Sequence, residues 1–63
     1  MPYLVKFIGS YQPLLTSEQF QSLLEAHAFA RENQHKVPGA AVMAIVETDE
    51  NGEETNTQEI VKL

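Results

Sequence analysis

The chain has 63 residues, 43% of them apolar, with nine acids against four bases, a net charge of −5 and no cysteine. A chain this short buries only about 60% of its unfolded surface, so small domains of this size usually add disulfides, a metal or a partner subunit to their core. Without cysteine the first route is closed, and His27 and His35 alone are too few for a structural zinc site. No apolar run approaches the roughly 18 residues of a membrane span and no basic stretch precedes an apolar one, so the sequence reads as a soluble cytoplasmic protein.

The charge is unevenly placed. Residues 1–46 balance Glu18, Glu25 and Glu32 against Lys6, Arg31 and Lys36. Residues 47–63 hold Glu47, Asp49, Glu50, Glu53, Glu54 and Glu59 against Lys62, six minus one, which accounts for the whole −5. Nucleic-acid binding needs a cluster of Lys and Arg that neutralises phosphates, so direct binding to DNA or RNA is not expected.

Residues 1–63 read as a single domain. Tyr3 to Ile8 is β-branched and aromatic and stops at Gly9-Ser10, which predicts a strand. Thr16-Ser-Glu-Gln19 fits a capping box, with Leu15 placed to staple onto Phe20, and predicts a helix running to about Asn33. On that helix Phe20, Leu23, Leu24 and His27 share an apolar arc, flanked by Ala28 and Ala30, while Phe29 falls on the polar side. After Val37-Pro38-Gly39, Ala40 to Val46 is apolar without alternation, as in a strand covered on both faces. Asn51-Gly52 predicts a two-residue hairpin turn, with Thr55 to Leu63 returning as a polar edge strand.

The expected fold is therefore α+β, in the order β-α-β-β, with one helix packed on a three-stranded mixed sheet. The first two strands, joined through the helix, are expected to run parallel. A two-residue turn at Asn51-Gly52 pairs Val46 with Thr57, Ala44 with Glu59, Met43 with Ile60 and Val42 with Val61. Lys6 and Glu59 then mark the face away from the helix, because an unpaired buried charge is costly. The expected core is Tyr3, Val5, Phe7, Phe20, Leu23, Leu24, His27, Met43, Ile45 and Ile60. That leaves Leu4, Ile8, Val42, Ala44, Val46, Val61 and Leu63 on the second sheet face, a patch larger than a soluble monomer usually exposes. This face is expected to be an oligomer interface, with a homodimer favoured.

Few residues point to chemistry. Pro2, the strand after it, the helix and the Pro38 to Val46 segment together resemble the 4-oxalocrotonate tautomerase family. The resemblance implies that Pro2, freed by removal of Met1, would be a general base at the amino terminus. The chain departs from that family in having Arg31 as its only arginine, and in closing on the acidic hairpin 47–59 rather than a glycine-rich segment. His27 is expected in the core or an interface, and the spacing within Glu47 to Glu54 does not match a calcium-binding EF-hand loop. No metal or cofactor is implied.

The leading functional expectation is a non-enzymatic, homo-oligomeric protein-interaction module. It would serve as an accessory or inhibitory factor that presents the acidic tip Glu47, Asp49, Glu50, Glu53 and Glu54 to a basic protein partner. The alternatives are a tautomerase-like enzyme using Pro2 and a structural subunit of a larger assembly.

Overall fold

A computed structural model describes residues 2–63. The elements are β1 (Tyr3–Ile8), β2 (Pro13–Thr16), α1 (Leu23–Asn33), β3 (Val42–Thr48) and β4 (Glu54–Lys62). The strands form one sheet in the order β2-β1-β3-β4, with every neighbouring pair antiparallel. The fold is α+β, as the sequence predicts, but the sheet has four strands rather than three and is not mixed.

The additional strand explains the change of direction. The chain turns at Ser10–Gln12, where Gly9 N–H donates to the Gln12 carbonyl at 2.9 Å, and runs back along β1. Residues 16–20, read from sequence as the opening of the helix, stay extended instead. Ser17 N–H donates to the Val5 carbonyl at 2.8 Å, Val5 N–H donates to Ser17 Oγ at 2.8 Å, and Phe20 exchanges backbone bonds with Tyr3 at 2.8 and 2.6 Å. These contacts satisfy the outer backbone groups of β1, which would otherwise lack partners beside a buried strand. One extra reversal before the helix makes β3 antiparallel to β1 where a parallel crossover was expected.

The helix consequently starts six residues later than Thr16. Its N-cap is Ser22, whose Oγ accepts from Glu25 N–H at 3.1 Å and donates to the Glu25 carboxylate at 3.1 Å. Ser22-Leu-Leu-Glu25 is a second match to the same capping pattern. The buried stripe is Ala26 and Ala30, with Phe29 packed beside them and its ring 5.4 Å from that of Phe20. Phe29 thus belongs to the core side, whereas Leu24, expected in the core, is 80% exposed and His27 lies only half-buried. The small alanine face lets α1 lie close over β1 and β3, where Val5, Phe7, Met43 and Ile45 are buried beneath it.

The closing hairpin differs by one residue from the predicted register. Gly52 has φ +82° and Asn51 does not have a positive φ, so the two-residue turn expected at Asn51-Gly52 is replaced by a longer one. Asp49 N–H donates to the Glu53 carbonyl at 2.9 Å, Gly52 N–H to the Asp49 carbonyl at 3.0 Å, and Asp49 Oδ1 accepts from Asn51 and Glu53 N–H at 2.8 and 2.9 Å. Two irregularities follow, opposite Glu47/Thr48 and opposite Ile45/Val46. Val46 still pairs with Thr57, but beyond that point Ile45 meets Glu59, Ala44 meets Ile60 and Met43 meets Val61. A slip of one residue exchanges the two faces of a strand. Glu59 and Val61 therefore lie on the helix side, and Ile60, expected in the core, lies 65% exposed on the other side.

Candidate functional site

The residues singled out by the sequence fall into three places. At one end of the sheet, the Pro2 carbonyl accepts from Thr48 N–H at 2.8 Å and from Thr48 Oγ1 at 3.3 Å, which satisfies the polar groups of that fully buried threonine. Arg31 sits towards the opposite end of α1, lining a groove with Met43 and Val61. Pro2 and the only arginine of the chain are therefore far apart along the sheet, and the groove that holds Arg31 does not include Pro2.

The acidic tip is largely occupied by its own neighbours. Asp49 uses its carboxylate to close the turn. Glu54 pairs with Lys6, whose side chain reaches across β3 from β1 on the face away from the helix. Glu47 accepts from Gln58 Nε2 at 3.4 Å, and its carbonyl accepts from Thr55 Oγ1 at 3.2 Å. Glu50 and Glu53 are the tip carboxylates that remain directed to solvent among the described residues.

The predicted interface residues are split by the shifted register. Leu4, Ile8, Val42, Ala44 and Val46 do share the face away from the helix, and Leu4, Ala44 and Val46 form a small cluster there. Each of those three is already below 10% exposed in the single chain, beneath the crossing Lys6–Glu54 pair. Val61 pairs with Met43 and so belongs to the helix side, with Leu63 following by alternation, at 38% and 47% exposure.

On the helix side, β4 leaves Val61 and Leu63 partly uncovered, while Ile60 is exposed on the opposite face. The backbone of α1 packs against β1 and β3 but, among the described residues, not against β4. Side chains alone span the gap. His27 Nε2 lies 3.3 Å from Glu59 Oε2, and together with Ala30, Arg31, Gln34, Met43 and Val61 they line an open groove of about 190 Å³. His27, read from sequence as a core histidine, is instead a tie between the helix and the edge strand. A second, looser cleft lies between the β1–β2 turn and the loop after the helix, lined by Tyr11, Leu14 and Pro38.

The Asn51-Gly52 motif gives no sign of the longer turn on which this groove depends. Closure between Asp49 and Glu53, together with the irregularity at Ile45/Val46, is what puts Glu59 and Val61 on the helix side. No helix among the described residues is long and apolar enough to cross a membrane. Comparison with known proteins finds no matching family model, no matching curated protein and no matching solved structure.

Proposed function

We propose that this chain is a non-enzymatic protein-interaction module that works as a homodimer, and that its solvent-directed tip acids Glu50 and Glu53 serve a basic protein partner. The observation that carries the reading is the incomplete cover of the sheet. The helix packs over β1 and β3 and leaves Val61 and Leu63 of the β4 end partly exposed on its side, while Ile60 is exposed on the opposite face, which no element covers. A small domain gains stability by covering such a region with a second subunit. Of the five tip acids, Asp49 closes the turn, Glu54 pairs with Lys6 and Glu47 accepts from Gln58, so recognition by charge falls to Glu50 and Glu53. Such exposed charges act mainly on the rate and selectivity of encounter.

Light scattering at micromolar concentrations tests the first half of this reading. The expected result is a concentration-dependent dimer; a monomer throughout that range rejects it. For the tip, a Glu50→Gln/Glu53→Gln double variant that remains folded by circular dichroism is expected to lose the wild type's association with a cationic protein at low ionic strength, and undiminished association rejects the second half.

A further inference from the structure

We propose that two copies of this chain pair through residues 59–63, antiparallel about a two-fold axis at Val61, joining their sheets edge to edge. The proposal rests on the homodimer reading above and specifies where the contact lies.

The direction of the backbone groups follows from bonds at the far side of the sheet. Tyr3 and Val5 turn their amides and carbonyls towards residues 17–20. Alternation along an antiparallel ladder then turns Leu4, Lys6 and Ile8 towards β3, and turns Met43 and Ile45 towards their β4 partners Val61 and Glu59. Leu63 N–H, which donates to the Ala41 carbonyl at 2.9 Å, continues the same alternation. The backbone groups of Ile60 and Lys62 therefore face outward from the edge.

The two halves of β4 differ in how well they could accept a new strand. Its first half carries both irregularities of the β3–β4 ladder, and such bulges twist an edge away from further pairing. Residues 59–62 pair with β3 without interruption, and the same segment carries exposed Ile60 and Val61. The part of the edge that is apolar is the part that is regular.

A second copy is the occupant that the sequence of this segment fits. An antiparallel pair with a two-fold axis perpendicular to the sheet keeps each face on its own side, so one residue must oppose its own copy. Centring on Glu59 or Lys62 sets like charges directly opposite, which is unfavourable. Centring on Ile60 brings Lys62 to the bulge at Gln58. Centring on Val61 opposes valine with valine, Ile60 with Lys62 of the second copy and Glu59 with Leu63 of the second copy, and lets the outward groups of Ile60 and Lys62 bond to each other. The acidic tips then lie at opposite ends of the joined strands, roughly 50 Å apart at about 3.3 Å per residue. That exceeds a Debye length of about 8 Å several-fold, so their repulsion is screened. Both helices lie on the same side, and the two His27–Glu59 grooves face each other across a floor of paired valines.

Cysteine cross-linking tests the register, since the chain has no native cysteine. Val61 bonds to β3 and so occupies a non-hydrogen-bonded position on the outer side, where opposing Cα atoms stand about 4.5 Å apart, within the range a disulfide spans. Val61→Cys is expected to oxidise to a covalent dimer, while Ile60→Cys, opposite Lys62 of the second copy, stays largely monomeric on a non-reducing gel. Lys62→Pro removes an outward amide without breaking the β3 ladder and is expected to shift light scattering to monomer while circular dichroism is unchanged. A wild-type monomer overturns both the dimer reading and this contact. A wild-type dimer in which Val61→Cys fails to cross-link, or in which Ile60→Cys cross-links as readily, overturns the contact and leaves the dimer reading standing.

Discussion

The two edges of this sheet are finished in opposite ways. At the β2 edge the added strand is short, opens on Pro13, and continues into an extended segment in which Ser17 completes the outer side of β1 by bonding Val5 with both its amide and its hydroxyl. At the β4 edge the strand is long, distorted at its start and regular at its end. An edge can be protected by ending the ladder with side chains and proline, or by bending it. β2 is only four residues long and opens on Pro13, so it offers little ladder, whereas bending covers only part of β4 and leaves residues 59–62 as a regular stretch of edge.

The comparison can be broken most directly at the closed edge. Ser17→Ala leaves the Val5 amide without its acceptor beside a fully buried side chain, and is expected to destabilise the chain by about 1–3 kcal/mol in urea unfolding. An unchanged midpoint would mean that this edge does not depend on the hydroxyl. At the other edge, Asp49→Ala removes the acceptor for two turn amides, with an expected loss of about 1–2 kcal/mol. Asp49→Asn keeps an acceptor oxygen and should recover much of that loss, whereas equal losses would assign the effect to charge. The smallest effect sharpens the boundary between the β2 edge and the helix. Ser22→Ala should cost about 1 kcal/mol as a lost N-cap, and Thr16→Ala less, because Thr16 lies in the strand. The reverse order in thermal melts would place the start of the helix back at Thr16.

Much of the fold was legible as local pattern. Tyr3 to Ile8, the apolar Ala40 to Val46 segment, observed as Val42–Thr48, and the polar closing strand were each readable as strands, because apolar and β-branched runs bounded by turn residues have few other folded uses. The helix was readable as a helix, but its face was not. Ala26 and Ala30 give a weak apolar signal beside Leu23 and Leu24, and close approach to the sheet favours the smaller side chains. The candidate groove was not legible, because its His27–Glu59 contact depends on a hairpin register that a single residue in the turn inverts.

What the sequence determined by itself was the presence of one helix, three of the four strands and the placing of the charge: apolar inner strands, an acidic hairpin and a polar edge, with β2 not among them. What only the tertiary structure decided was which of two equivalent capping motifs starts the helix, and hence whether β1 and β3 run parallel or antiparallel. Thr16-Ser-Glu-Gln19 and Ser22-Leu-Leu-Glu25 are alike as local motifs. The outer backbone groups of β1 need partners, residues 16–20 supply them by staying extended, and only Ser22 is left to cap the helix.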